Sequence, residues 1–210
     1  MTASYESDKM REYEEDMRNA GIFCVNELGL DPGIDHMLAM ECFHNVRENN
    51  GEIKSFISFC GGLPAPESSD NPLGYKFSWS PRGVLMAAMN PAIYQYKNDL
   101  VQRQPGGEIL KNRIDTQFYK GFNLEAIANR DSLTYKTPYS LENVETILRG
   151  TLRYQGYCDL VYGLKTIGLC SADKQIPAGV NSWADYRKNM KKSKIKNFII
   201  FNQLIQLFSI

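Results

Sequence analysis

At 210 residues and 23.9 kDa, with 43% hydrophobic and 11% aromatic residues, the chain is long enough for one large domain or two small ones and can bury a sizeable core. Lys plus Arg equals Asp plus Glu at 24 each, which implies no general attraction to nucleic acid or to an anionic membrane; any anionic ligand must be held by local basic residues. Five cysteines, at positions 24, 42, 60, 158 and 170, form an odd number without CxxC spacing, arguing against a disulfide framework or a zinc site, and no apolar run reaches the ~18 residues of a membrane helix.

Residues 1–8 carry no basic-then-apolar leader pattern and read like the interior of a longer protein. Met10, Tyr13, Met17 and Ala20 recur at spacings of three and four between Ser7 and Gly21, predicting an amphipathic helix with an acidic outer face. A short apolar strand over 22–25 follows. Asp31-Pro32 then reads as an N-cap with proline at the first helical position, opening a helix through Ile34, Leu38, Cys42 and Val46 to Asn50-Gly51.

Ile53, Ile57 and Phe59 share one face of a predicted strand, and Tyr75, Phe77 and Trp79 repeat that spacing after a long Pro/Gly connection, Cys60-Gly61-Gly62-Leu63-Pro64-Ala65-Pro66 on to Gly74. Proline fixes backbone torsions, and long ordered connections inside compact domains usually carry function. Ser80-Pro81 is a second cap pair, opening a helix of Val84, Leu85, Ala87, Ala88 and Met89 that ends near Asn90-Pro91. Short strands and turns are expected over 92–96, 107–110, 117–128 and 133–136. Residues 144–154 are rich in β-formers, and their even spacing places Arg149, Thr151 and Arg153 on one polar, positive face. Tyr157, Leu160, Val161, Leu164 and Ile167 make a helix ended by Gly168, and 183–190 a further short one. Beyond residue 187 a Lys-rich stretch leads into apolar residues, a change of character that reads as a truncated or read-through end, with a basic amphipathic helix as the minor alternative.

Arg130, Arg149 and Arg153 offer three guanidinium groups, which bind carboxylates bidentately and together suit a ligand with several of them; ordinary ion pairing with Asp and Glu is the competing and commoner arrangement. Asp31 is either a cap alone or a carboxylate presented to a ligand. His36 and His44, eight apart without a second ligand pattern, do not read as a metal site. Cys60 ends a strand at a loop, a good place for a reactive thiol, although free cysteines are most often small buried hydrophobes. A phosphate-cradling GxGxxG is absent.

Taken together, Thr2-Ala3-Ser4-Tyr5, Glu27-Leu28-Gly29-Leu30-Asp31-Pro32-Gly33-Ile34-Asp35-His36, the Cys60 to Gly74 loop with Tyr75-Lys76-Phe77-Ser78-Trp79-Ser80, Asn129-Arg130-Asp131-Ser132 and Leu148-Arg149-Gly150-Thr151-Leu152-Arg153-Tyr154 closely resemble the glutamate-forming saccharopine dehydrogenases and the matching part of animal aminoadipic semialdehyde synthase. The likeness runs in order from about residue 2 to about residue 170, and the Lys-rich tail departs from it.

The resemblance implies an α/β (α+β) fold in which residues 1–32 are the end of a Rossmann-type nucleotide-binding domain, 33–187 an incomplete mixed-sheet substrate and dimerisation domain with a partial helical segment, and 188–210 a divergent tail. The family's nucleotide-phosphate loop would then lie before Met1, together with the residues that choose between NAD and NADP. The implied reaction is NAD(P)-dependent oxidative cleavage of saccharopine to glutamate and 2-aminoadipate 6-semialdehyde, or its reverse. It implies that Arg130 and Arg153, with the backbone of Thr151 and Leu152, hold substrate carboxylates, that Ser4 and Tyr5 contact substrate near the nicotinamide, and that Ala3, Gly29, Leu30 and Asp31 line the cofactor pocket; Arg149 is a weaker extension of the carboxylate set. Tyr5, Asp31 and Cys60 are the candidates for moving protons, although a free tyrosine or thiol titrates well above neutrality. The implied partners are saccharopine and a second copy in a homodimer, with neither nucleic acid nor membrane; the implied compartment is mitochondrial for an animal-type bifunctional parent and cytoplasmic otherwise. Without the phosphate loop the free chain is expected to be catalytically poor, and a non-catalytic carboxylate-binding or dimerisation module is the alternative.

Overall fold

The computed structural model describes residues 1–97, 100–114, 116, 121–171, 173, 175, 178–182 and 184–186. Its organising element is β5 (Thr146–Tyr154), nine residues that include β-branched Thr146, Ile147 and Thr151. β1 (Ser55–Cys60) pairs with it in parallel, from Ser55 opposite Thr146 to Cys60 opposite Thr151. On the other side, β4 (Leu124–Ala128) runs antiparallel along its second half, from Leu124 opposite Tyr154 to Ala128 opposite Gly150. β2 (Ala92–Tyr96) meets the first half at Gln95 opposite Ile147 and pairs antiparallel with β3 (Leu100–Gln104). The result is a five-stranded mixed sheet in the order β1-β5-β2-β3, with β4 beside β5. The crowding at its centre demands Gly150, where an added Cβ would stand 2.5 Å from the Phe59 ring and 2.9 Å from the Ile127 carbonyl oxygen.

Successive residues of a strand face opposite sides of a sheet, so Ile147 and Leu148 belong to different cores. Ile147 packs with Ala39 and Phe43 of α3 (Ile34–Glu48), Tyr139 of α5 (Lys136–Tyr139), Leu141 and Val144. Leu148 packs with Val84 of α4 (Pro81–Ala87) and Leu160, Val161 and Leu164 of α6 (Tyr157–Ile167). The mixed α/β class expected from sequence is the one found, and several local expectations hold in detail. The Ser80 hydroxyl caps α4 by accepting from the Gly83 N–H at 3.1 Å, with Pro81 at the first helical position. Gly168, at φ 90°, closes α6 in the left-handed conformation.

Four local expectations are corrected. The helix over 7–21 is two short pieces, α1 (Asp8–Arg11), capped by Ser7, and α2 (Glu14–Asn19); neither buries a residue, so no packed face supports one continuous helix. Residues 22–25 form no strand: Ile22 and Phe23 are exposed, and the chain instead bonds residues 2–4 through Thr2 N–H to Val25 O and Glu27 N–H to Ser4 O. Asp31 does not cap α3. Gly33 holds that position, and the Asp31-Pro32 peptide is cis. The Tyr75, Phe77, Trp79 alternation forms no strand: residues 75–77 are irregular and 78–79 bend, with Tyr75 buried while Phe77 and Trp79 are exposed.

Among the weaker segments, 92–96 is β2, 107–110 is a turn carrying buried Ile109 and Leu110, 117–128 yields β4, and 133–136 is a 3-10 turn (Ser132–Tyr135) leading into α5. The helix expected over 183–190 is described only at residues 184–186, which are helical, and the tail over 188–210 lies outside the described residues.

Candidate functional site

The candidate residues gather at the end of the sheet where β1 stops opposite Thr151, together with the segment that precedes α3. Ala3 and Gly29 are brought side by side by the 2–4/25–28 pairing: a Cβ added to Gly29 would lie 3.1 Å from the Ala3 Cβ. Ala3, Ser4 and Leu30 are exposed, and the Thr2 hydroxyl hydrogen-bonds Ser4 at 3.3 Å.

Next to this floor, the Tyr5 hydroxyl donates to Asp31 Oδ1 at 2.7 Å. The same carboxylate accepts from Arg149 Nη2 at 2.6 Å, and Arg149 Nη2 also donates to Asp35 Oδ2 at 2.5 Å. Asp35 is fixed in turn by the Gly33 N–H, 2.7 Å from its Oδ1. The Arg149 guanidinium stacks on Tyr135 at 4.3 Å and reaches the Tyr5 ring at 6.0 Å, while Arg130 covers Tyr5 at 4.9 Å. Arg149 is only 2% exposed; burial opposes its charge, but Asp31, Tyr5, Tyr135 and Asp35 outweigh it and hold the group firmly cationic. Burial and the Asp31 charge together drive the Tyr5 phenol well above its ordinary range.

Cys60, opposite Thr151, is half-buried; burial, then Asp31 and Asp35, push its thiol up to about 11, with Arg149 and Arg153 pulling the other way. Gly61 presses on the next residue of β5, where an added Cβ would meet Leu152 O at 2.5 Å. Arg153 donates Nη1 to Leu152 O at 2.7 Å and lies over the rings of Tyr75 and Tyr157 at 4.9 and 5.2 Å. Among the described residues neither Arg130 nor Arg153 has a carboxylate within 4.0 Å, in contrast to Arg149 between them. Asn129 N–H bonds Arg149 O, so Arg130 lies near the level of residue 148 and Arg153 stands about five residues further along β5, roughly 16 Å at the usual strand rise.

The structure thus brings Tyr5, Asp31, Arg130 and Arg149 into one contact set, places Cys60 and Thr151 in register beside it, and sets Arg153 apart at the far end of the strand. Sequence reasoning missed Asp35, Tyr135, Tyr75 and Tyr157. The spacing of Asp31 and Asp35 was a usable signal, but their shared partner lies more than 100 residues away. His36 turns out to be a structural link: Nδ1 is 2.5 Å from the Tyr139 hydroxyl and Nε2 is 2.9 Å from Glu27. Among the described residues no three His, Cys, Asp or Glu side chains are placed to hold a metal ion.

Gly29 lacks a Cβ where Ala3 and the Pro32 carbonyl press against it, so its smallness serves the packing of the 2–4 segment onto residues 29–32. The described residues contain no glycine-rich turn opening a helix onto a pyrophosphate.

A mixed α/β sheet with arginines ranged along its central strand defines an α/β protein with a cationic site. Residues 29–207 match the family model described as Saccharopine dehydrogenase C-terminal domain, and the chain belongs to that family. The match crosses into the 188–210 segment expected to diverge. The chain is 48% identical over 175 residues to the saccharopine dehydrogenase [NADP(+), L-glutamate-forming] of Pyricularia oryzae, covering 83% of this chain and 39% of that protein. It is 47% identical over 173 residues to the mitochondrial alpha-aminoadipic semialdehyde synthase of Bos taurus, covering 82% of this chain and 19% of that one. Among solved structures, apo saccharopine dehydrogenase (L-Glu forming) from Saccharomyces cerevisiae superposes with a TM-score of 0.71 at 44% identity, over 82% of this chain and 39% of that one. The chain therefore spans about two-fifths of the fungal relatives' length and about a fifth of the bovine one's. No helix among the described residues is long and apolar enough to cross a membrane.

Proposed function

We propose that this chain is the substrate side of a saccharopine dehydrogenase, binding a long amino acid with carboxylates at both ends along β5, with residues 1–32 belonging to the cofactor domain and 33–187 to the substrate domain. The observation that carries this reading is the contrast among three arginines: Arg149 is neutralised by two carboxylates, whereas Arg130, just beyond the end of β4, and Arg153, on β5, stack on aromatic rings and have no carboxylate partner among the described residues. A cation without a protein counter-ion retains its attraction for an incoming carboxylate.

In this reading saccharopine lies with its outer carboxylates on Arg130 and Arg153, aided by the backbone of Thr151 and Leu152, and Ser4 and Tyr5 approach its secondary amine. Ala3, Gly29 and Leu30 would hold the nicotinamide end of NAD or NADP, which would supply the hydride acceptor, and water would then cleave the substrate imine to glutamate and the semialdehyde. The Tyr5 phenol holds its proton and directs it at Asp31, so this pair orients rather than deprotonates at neutral pH. The Cys60 thiol, pushed up to about 11, is likewise a proton donor there and not a base.

Isothermal calorimetry of the 210-residue chain with saccharopine tests the site. Arg130→Ala and Arg153→Ala are each expected to weaken binding at least tenfold, about 1.4 kcal/mol; equal affinity in parent and both variants overturns it. Turnover by the isolated chain with either dinucleotide would overturn the accompanying proposal that a chain with no pyrophosphate cradle among its described residues is catalytically poor.

A second reading, an assembly module, is favoured by a different observation. Ile34, Leu38 and Val46 form an exposed apolar stripe on α3 beside β1, which has β5 on one side and, among the described residues, no strand on the other. A homodimer through this face would bury the stripe. Sedimentation of the parent and of Leu38→Lys separates this reading from the first, since a charge there breaks such a dimer and leaves the arginines untouched.

A further inference from the structure

Arg153 is held in a way unlike any other arginine of the site. Tyr75 and Tyr157 are 4% and 2% exposed, their rings meet edge to face at 5.9 Å, and the guanidinium lies over both at 4.9 and 5.2 Å. Each ring is itself anchored. Asn71 Nδ2 donates to the Tyr75 carbonyl at 2.9 Å, and the residue after Tyr157, Cys158, gives its N–H to the buried Glu125 carboxylate at 2.7 Å. Arg153 Nε is shut off from solvent and has no acceptor in the protein. A buried N–H without an acceptor is costly, and a guanidinium packed for stability alone would have gained a carboxylate, as Arg149 did.

We propose that Tyr75 and Tyr157 are positioning residues that seat Arg153 in the corner between their two rings, so that its charge meets no protein carboxylate and stays available to one carboxylate of the ligand. This rests on the carboxylate-binding reading above and deepens it. Ring faces attract a cation through their quadrupole without neutralising its charge as a carboxylate would, and stacking removes the rotamer freedom a free arginine would lose on binding. The clamp therefore makes the end of β5 selective for an anionic group over a neutral amide.

The test is a double-mutant cycle on the full chain with saccharopine, read by calorimetry. Tyr75→Leu is expected to weaken binding about tenfold in the parent and by less than twofold in the Arg153→Ala background, whereas Tyr75→Phe, which keeps the ring, is expected to bind like the parent. Equal weakening by Tyr75→Leu in both backgrounds overturns the clamp. A second readout needs no ligand: in nitrogen-15 spectra the Arg153 Nε–H should exchange with water at least tenfold more slowly in the parent than in a variant carrying pentafluorophenylalanine at position 75, which preserves shape and reverses the ring's polarity. Equal exchange overturns the clamp even where the leucine variant does not fold. Absence of saccharopine binding by the parent, with the exchange difference intact, overturns instead the carboxylate reading.

Discussion

Arg149 and Asp31 meet across 118 residues of chain, with Nη2 donating to Oδ1 at 2.6 Å. The bond joins the segment before α3 to the centre of the sheet, and Asp35 completes it from the first turn of the helix. Removing a partner from a buried pair leaves uncompensated charge, at a cost of about 3–5 kcal/mol. Arg149→Ala is therefore expected to lower the urea midpoint sharply. Arg149→Lys should recover little of the loss, because an ammonium lacks the fork that also stacks on Tyr135.

The Cys60 thiol, at about 11, should alkylate roughly a hundredfold more slowly at pH 8 than an ordinary free cysteine, since only its thiolate reacts. Exposed Cys24 provides an internal reference for iodoacetamide labelling followed by peptide mass spectrometry. The linkage has a definite sign: a folded-state value raised above the unfolded one of about 9 means stability present below pH ~9 that is lost as pH climbs through ~11. Thermal melts across that window should show a smaller loss in Cys60→Ala than in the parent.

Gly61→Ala places a methyl group 2.5 Å from Leu152 O and 2.9 Å from Leu152 Cβ, so the loop must lift from β5. Overpacking of this kind costs about 1–3 kcal/mol. Urea denaturation should show the loss of stability. Gly62→Ala, where an added Cβ meets nothing within 4 Å, should leave the midpoint near that of the parent.

Glu125, buried on β4, accepts from the Cys158 N–H at the start of α6 and faces Arg113 Nε at 3.1 Å. Glu125→Ala strands the Cys158 N–H and leaves Arg113 with Asp159 as its remaining carboxylate, at an expected cost of about 3 kcal/mol, with Glu125→Gln intermediate, because an amide oxygen can still accept from the helix N–H. Hydrogen exchange should register the loss first in the opening turn of α6.

Local chemistry explains which features were legible in the sequence. Ser80-Pro81 and Gly168 announce the ends of α4 and α6 because caps depend on neighbouring backbone alone. The nine-residue β5 is legible from its β-formers, and its central position follows from the two cores it divides. Asp31 looked like a cap, yet its carboxylate is claimed by Arg149, a competitor no local pattern reveals. The Tyr75 to Trp79 alternation has strand periodicity without a strand, because Gly74 at φ 55° and the Asn71 side chain bend the chain so that Tyr75 can cover Arg153. The arginines were visible one by one; which of them is already neutralised is a property of the folded chain.

Among the described residues no strand covers the outer flank of β1, where Ile57 and the α3 stripe are exposed, and such an edge carries a cost away from any binding event. A row of unused backbone donors and acceptors next to oily side chains is a template for the next nascent strand that drifts past. Cellular abundance of this polypeptide would then be governed less by how firmly it folds than by how quickly chaperones or a fitting companion hide that margin.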